Sequence, residues 1–484
     1  MSRAMAPRRR HACVYDARMS SNHDTPAVLA EDRQQLAAAL DASGARRVEC
    51  AMADFSAVAR GKLALRADAL AGCKLPSVLL GMTLTGGAPT EMFGSVLPSA
   101  YTDLALIADA STLAPRPGRA HEASVICEPS ASWHAPRYGR ELGAHELSPR
   151  AALRRVLAAW AEAGLRATVA PELELFLLQR RVDAAGVQLE AASAGGAAGA
   201  REAACEQYSL ERTAQFEAYF DALYAAAETL RIPLSGHLHE AALSQYEVNF
   251  APGEPLAQAD AVWRFKRVAR ELAVRHGFLA SFAAKPFLDQ PGTGMHWHFS
   301  VQRDGADWPA LFATPDGVST PQLGHFIAGV QRGAPAAMAL FAPYDMSFDR
   351  IALSDASPTH ADWGDDDRHA ALRIPASGAA ARRVENRLPG GDANPYLVVA
   401  ATLALGLEGL RAAQAPATGR DDALRLPRTL PDALAALQGS PTLRRWLGEP
   451  LVDLYVALKS HEHDERAAAA DARQWDLRHL IELA

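Results

Sequence analysis

The stretch Pro171-Glu172-Leu173-Glu174-Leu175-Phe176 constrains the fold more than any other part of this chain. It follows Leu165-Arg166-Ala167-Thr168-Val169-Ala170 and runs into Leu177-Leu178, a pattern that predicts a strand with acids at alternate positions. Side chains alternate faces along a strand, so Glu172 and Glu174 project to the same side. Two carboxylates about 7 Å apart on one face repel unless a cation or a basic group sits between them. A solvated strand face is the ordinary reading of such a pair, but the apolar residues around this one argue against full exposure. Further ligands elsewhere in the chain give it partners.

At 484 residues the chain exceeds the usual single-domain size, so two domains with a sizeable core are expected. A hydrophobic content of 49% with 22% charged residues is that of a soluble globular protein. The formal charge of −7 comes with no basic stripe, which speaks against nucleic acid as a partner. Five scattered cysteines form no CxxC pair, which argues against a disulfide framework or a zinc cluster and for a reducing, cytoplasmic setting. No apolar run approaches the ~18 residues of a membrane span. Arg8-Arg9-Arg10 has the look of a targeting segment but no apolar stretch follows it.

Residues 1–26 are polar and aperiodic and read as a disordered extension. The spacing of Leu29, Leu36 and Leu40 predicts a helix over Ala30–Ala42, followed by a strand over Arg46–Phe55 with a turn near Asp54. Short strands around Leu104–Ile107 and Ala123–Cys127 complete a small α+β domain over 27–138. Ser148-Pro149-Arg150 is a helix start, with Ser148 as the cap, and a second domain is expected over 145–484. Ala184–Ala204 is Ala/Gly-rich and reads as a loop that need not pack. Helices are expected over Gln215–Leu230, Ala259–His276 and Pro395 to about Ala412, a strand over Phe278–Pro286, and a helical tail.

Three more segments carry chemistry. In His237-Leu238-His239-Glu240-Ala241-Ala242-Leu243-Ser244-Gln245-Tyr246-Glu247 the acids lie seven apart, so a loop or bulge must intervene if both face one site. Pro291-Gly292-Thr293-Gly294-Met295-His296-Trp297-His298-Phe299-Ser300 puts two histidines on one strand face behind a glycine turn that allows close backbone approach to a ligand. The last is a mixed-charge run: Arg350, Asp362-Trp363-Gly364-Asp365-Asp366-Asp367-Arg368, Arg373-Ile374-Pro375 and Arg382-Arg383-Val384-Glu385-Asn386-Arg387, closing on Gly391-Asp392-Ala393-Asn394-Pro395-Tyr396. Arginines at this density form weak surface pairs, or they grip phosphate and carboxylate bidentately.

Taken in order, these segments resemble the glutamine synthetase superfamily, and within it the γ-glutamylpolyamine (γ-glutamylputrescine) synthetase branch, from about residue 46 to the tail. The resemblance implies a β-grasp-like N-terminal domain and an α+β catalytic domain built on an open antiparallel barrel flanked by helices. It implies two Mg²⁺ or Mn²⁺ ions: one held by Glu174, Glu240 and Glu247, the other by Glu172, His296 and Glu385. Oxygen-rich ligation with one imidazole suits these hard ions. His298 and Ser300 would touch phosphate or nucleotide, and Arg383 would lie by the adenine of ATP. Arg373 and Arg387 would clamp the phosphates, and Arg368 would meet the transferred phosphoryl group. Arg350, Arg387 and the backbone at Gly292 would hold glutamate. The implied activity is ATP-dependent ligation of the glutamate γ-carboxyl to an amine through an acyl phosphate, in a cytoplasmic dodecamer of two hexameric rings.

Departures from ammonia-using relatives bear on the amine. The position six residues beyond Arg350, where those enzymes carry a glutamate that closes the ammonium pocket, is Ala356, next to Asp355. No clear counterpart of their ammonium-binding aspartate occurs in Leu80–Pro98, and Pro291 replaces an asparagine before the glycine turn. Losing these acids opens the site to an alkylamine, and the run Asp362, Asp365, Asp366 and Asp367 is a candidate receiver for a second ammonium group. The alternatives are ammonia-dependent glutamine synthesis and an inactive structural or regulatory relative; the latter predicts damaged metal ligands, and all six are present.

Overall fold

The computed structural model describes residues 26–194, 201–354, 357–419 and 421–483. Apart from Pro26, the extension assigned to residues 1–26 lies outside them, as do Asp355 and Ala356.

Two sheets organise the chain. The first has the strand order Ala59–Leu65, Arg47–Ala53, Glu122–Ser130, Asp103–Ala108, Cys73–Pro76, with Ala114–Pro115 paired to Glu122–Ser130. Arg47–Ala53 and Glu122–Ser130 run parallel and the other neighbours antiparallel, a β-grasp-like layer covered by the helix Pro26–Ser43. That helix buries Leu36 and Leu40, as the leucine spacing requires. The turn at Asp54 is built by the side chain itself: Oδ1 accepts from the Ser56 and Val58 amides and Oδ2 pairs with Arg60 at 2.8 Å.

The second sheet has nine strands around Leu165–Asp183, a 19-residue strand. Its order is Leu234–His239, Gln245–Phe250, Leu165–Asp183, Met295–Arg303, Val384–Asn386, Leu372–Ile374, Trp363–Asp365. Gly186–Ala191 and Leu279–Ser281 also pair with the long strand. Along its middle, Pro171, Leu173 and Leu175 are buried while Glu172 and Glu174 are half-buried on the other face, the alternation that the period of two dictates.

Helices close the apolar face. Pro321–Phe341 and Pro395–Ala412 approach so closely that a Cβ on Gly329 would sit 2.2 Å from the Leu405 carbonyl oxygen, and one on Gly409 2.1 Å from that of His325. Pro395–Ala412 is long and apolar enough to cross a membrane, contrary to the expectation that no such run exists. However, 78% of it is buried inside the protein, and it forms the core helix of this layer. A buried network fastens the first sheet and its connecting segments to the helices. Arg150, behind the Ser148 cap, meets Asp260 at 2.8 Å, Asp109 at 2.9 Å and Glu128 at 3.1 Å, and Tyr396 donates to Asp260. Lys459 donates to Ser56 and Glu462, whose other oxygen accepts the Leu84 amide at 2.6 Å.

Two sequence expectations need correction. The Ala/Gly-rich segment is not loop throughout: Gly186–Ala191 is a strand, folded back on Leu178–Asp183 and pinned by Gln474 through both the amide and the carbonyl of Val187. Tertiary pairing overrides its weak local propensity. The strand expected over Phe278–Pro286 is confined to Leu279–Ser281, because the chain then turns to offer the Phe282 and Ala283 carbonyls to Thr293 Oγ1.

Candidate active site

Register across the second sheet brings the acids together. Glu247 stands opposite Glu174, and Asn249 opposite Glu172. On the other side His296 stands opposite Glu172, His298 opposite Glu385, and Glu385 opposite Arg373. All project to the face that does not carry the buried Leu173 and Leu175. The odd spacing of Glu240 and Glu247 is resolved by the turn between them. The Glu240 amide donates to the Gln245 carbonyl at 2.8 Å, and Ser244 takes a left-handed φ of 57°.

His296 Nδ1 lies 3.8 Å from Glu172 and 3.7 Å from Glu385. His298 Nε2 donates to Glu172 Oε1 at 2.8 Å, while Arg383 Nε donates to His298 Nδ1 at 3.2 Å. Nδ1 is therefore the acceptor and the ring proton sits on Nε2, aimed at Glu172. Glu385 is fully buried and both its oxygens are occupied, Oε1 by Arg387 at 2.5 Å and Oε2 by Arg373 at 2.9 Å. Arg373 also grips Asp366. Candidate ligand atoms of Glu172, Glu247 and His296 lie within 4.8 Å of one another, and so do those of Glu172, His298 and Glu385.

The electrostatics divide the site. Burial pushes the Glu247 carboxyl up, and the charges of Glu172 and Glu174 push it further, to about 8. Burial and then Glu174 push Glu240 up to about 7. On the other side burial also acts to raise Glu172, but the imidazoles of His296 and His298 outweigh it and hold that carboxyl well below its usual range. Burial likewise opposes ionisation of Glu385, and His296 and Arg387 overcome it. Crowded carboxylates that repel one another beside imidazole nitrogens, with no thiolate among them, are the donor set of a hard divalent cation, so the residues fit Mg²⁺ or Mn²⁺.

Two glycines make room. A Cβ on Gly294 would lie 2.7 Å from His296 Nε2 and 3.0 Å from Glu174 Oε1, so the absent side chain is the space in which these groups converge. A Cβ on Gly292 would lie 2.2 Å from the Ala284 carbonyl oxygen and 2.9 Å from Arg350 Cγ. Arg350, on the helix Asp345–Ala352, therefore packs directly over Gly292, and it donates to the Leu388 carbonyl at 3.1 Å. Beside it a pocket open to solvent is lined by His296, Arg350, Ile351, Ser357, Pro358, Arg387 and Leu388.

The remaining candidates sit at the margin. The Ser300 hydroxyl points along the same strand face toward the Thr168 carbonyl, 3.4 Å away. The Arg368 side chain is exposed, and its carbonyl accepts from Arg387 Nε. Of the acidic run, Asp362 accepts the Ala371 amide, Asp366 pairs with Arg373 and Asp367 accepts the His369 amide. Three of its four carboxylates thus have local partners. Sequence reasoning overlooked Asn249, whose Nδ2 donates to Glu247 at 2.8 Å, and Gln245, whose side chain joins Glu174 to Gly292. The period of two would have placed both on the face of Glu247, Gln245 two residues before it and Asn249 two beyond.

A family model described as "Glutamine synthetase, catalytic domain" matches residues 146–479. The chain belongs to the glutamine synthetase family and is an ATP-dependent carbon–nitrogen ligase of that class, whose members use divalent metals. Among named relatives it is similar to the gamma-glutamylputrescine synthetase PuuA of Escherichia coli, 34% identical over 342 residues that cover 69% of this chain and 72% of that one. It is similar as well to a glutamine synthetase of Thermococcus kodakarensis, 32% identical over 335 residues covering 66% and 72%. Among solved structures a GmaS–ADP complex superposes with a TM-score of 0.74 at 25% identity, covering 92% of this chain and 98% of that one. A structure described as a novel glutamine synthase homolog superposes with the same score at 26% identity, covering 91% and 99%.

Proposed function

We propose that this chain joins the γ-carboxyl of glutamate to an alkylamine or polyamine, such as putrescine or spermidine, with release of ADP and phosphate. The observation that carries the amine over ammonia is the alanine at position 356, beside Asp355: counted from Arg350, this is where the resemblance implies the glutamate that closes the ammonium pocket of ammonia-using enzymes. The similarity to a gamma-glutamylputrescine synthetase supports the same reading.

In this reading Arg350 and the Gly292 backbone hold glutamate in the pocket beside His296, with its γ-carboxylate directed at the nucleotide. Glu174, Glu240 and Glu247 would hold one cation, and Glu172, His296 and Glu385 a second. The bound cations would supply charge neutralisation for the phosphates and the moving phosphoryl group. Arg373 and Arg387 grip phosphate oxygens with their paired N–H donors, and Arg368, exposed at the mouth, closes on the transferred group. His298, Ser300 and Arg383 line the nucleotide side. The γ-carboxylate attacks the terminal phosphorus, the bond to ADP breaks, and the amine nitrogen then displaces phosphate from the acyl carbon. Positioning and preorganised charge supply most of the acceleration, and water has to be kept from the acyl phosphate.

We place the enzyme in the cytoplasm, in keeping with its four described cysteines all being free. A dodecamer of two hexameric rings would cover the strand Ala59–Leu65. Among the described residues that strand has one neighbour in its sheet, and it leaves Leu63 and Leu65 exposed. A second reading, ammonia-dependent glutamine synthesis, is favoured by the similarity to the Thermococcus enzyme. The test is phosphate release with glutamate, ATP and Mn²⁺ against a panel of ammonium, putrescine, spermidine, ethanolamine and isopropylamine. Turnover with one of the amines well above that with ammonium is expected. Strong turnover with millimolar ammonium and none with amines would replace the first reading by the second.

A further inference from the structure

The Gln245 side chain is sealed from solvent, 1% exposed, yet its amide is fully engaged. Oε1 accepts the Ala242 amide at 3.0 Å, and Nε2 donates to Glu174 Oε2 at 2.8 Å and to the Gly292 carbonyl at 3.0 Å. Its backbone carbonyl accepts the Glu240 amide. One residue therefore ties together three separate pieces of the site: the Glu172–Glu174 strand, the Glu240–Ser244 turn and the glycine turn under Arg350.

The geometry of Glu174 gives this tie its consequence. Oε2 receives two N–H donors, Gln245 Nε2 and the Gly294 amide at 3.0 Å, whereas Oε1 faces the space that a Gly294 side chain would fill, beside His296. A carboxylate with one oxygen saturated by donors cannot rotate freely and presents the other in a fixed direction. We infer that Gln245 is a positioning residue: it holds Glu174 so that Oε1 alone faces the cation site, and it sets the Gly292 carbonyl at the glutamate pocket in the same stroke. Metal affinity and glutamate affinity are thereby coupled through one buried amide. The inference rests on the reading of Glu174 as a cation ligand and of Gly292 as part of the glutamate site.

The test is Gln245→Met, which keeps the length and removes both donors, beside Gln245→Asn, which keeps an amide but withdraws it by one methylene. Free Mn²⁺ is followed by electron paramagnetic resonance in titrations of each protein without ATP or glutamate. Glutamate and ATP KM values are then measured at saturating Mn²⁺. Removing a residue that orients a metal ligand lowers affinity by about 10- to 100-fold. Both variants should weaken the tightest Mn²⁺ binding about tenfold or more and raise the glutamate KM comparably, with the ATP KM within about twofold of wild type. If Gln245→Met loses its near-ultraviolet dichroism, Gln245→Asn is judged by the same criteria. Mn²⁺ binding and glutamate KM within twofold of wild type would overturn the inference, and so would a fall in kcat alone. Wild-type protein that binds no Mn²⁺ would overturn the reading of the site beneath it, a failure seen without any variant.

Discussion

Replacing Gly294 by alanine should damage the site while leaving the fold intact. The added Cβ would stand 2.7 Å from His296 Nε2 and 3.0 Å from Glu174 Oε1. Ordinary contact needs about 3.5 Å, so one or both groups must retreat by roughly 0.5–1 Å. Glu174 cannot turn away without breaking its bonds to Gln245 and the Gly294 amide, so most of the movement falls on the His296 ring, which would leave Glu172 and Glu385. A displacement near 1 Å in a reacting assembly costs about 10²-fold in rate, equivalent to about 2.7 kcal/mol of transition-state stabilisation. The assay is steady-state phosphate release with glutamate, ATP, Mn²⁺ and the preferred amine, with thermal melting alongside. A kcat/KM lowered about a hundredfold, with a melting temperature within a few degrees of wild type, is expected. Activity within threefold of wild type would mean that the space beside Gly294 is not where the reacting groups assemble.

Two further outcomes follow from the charges. Glu247 and Glu240 have folded-state values raised to about 8 and about 7, so the metal-free native protein binds more protons than the unfolded chain between about pH 4.5 and pH 8. Its stability should fall as pH rises through that window, and saturating Mn²⁺ should remove most of the slope; metal-free melting that is flat with pH would contradict this. Arg373 and Arg387 occupy both oxygens of Glu385, so phosphates that recruit these arginines would free the carboxylate for a cation. A non-hydrolysable ATP analogue should therefore tighten Mn²⁺ binding, and Mn²⁺ should tighten the analogue by the same factor; independent binding in calorimetric titrations would refute the exchange.

The alternation of Glu172 and Glu174 was legible because a strand period of two is a local property, and so was the pairing of His296 with His298. The helix at Ser148-Pro149 announced itself by its cap, and the cap is made, Ser148 Oγ accepting from the Ala151 amide; the helix from Pro395 was expected too, and its cap is Asn394, whose Oδ1 accepts from the Tyr396 amide. What could not be read locally is what depends on register. No property of Gln245 or of Asn249 by itself says that one meets Glu174 and the other stands opposite Glu172. The Gly186–Ala191 strand escaped for the same reason: its sequence has little preference, and its conformation is set by the neighbour it folds back on and by Gln474 far along the chain. The distinction between the two histidines also lay beyond the sequence. Arg383 fixes the tautomer of His298, which turns that ring toward Glu172 as a donor, while His296 keeps Nδ1 between two carboxylates.

A common device runs through the acids of the site. Glu174 has one oxygen saturated by amides, Glu172 has one bound by His298, Glu247 has one held by Asn249, and Glu385 has both taken by guanidinium groups. Bare carboxylates packed this closely would relieve their repulsion by turning away from each other or by taking up protons. Donors on one oxygen prevent the turn and leave the other directed inward, so the repulsion is relieved by proton uptake or by an incoming cation. The raised values of Glu240 and Glu247 mark where that tension is greatest, and the arginine pair on Glu385 marks where it is already neutralised. The site is therefore asymmetric before anything binds. One half carries carboxyls that hold their protons and the other a carboxylate held by two guanidinium groups, a division of charge that the proposed phosphoryl transfer would draw on.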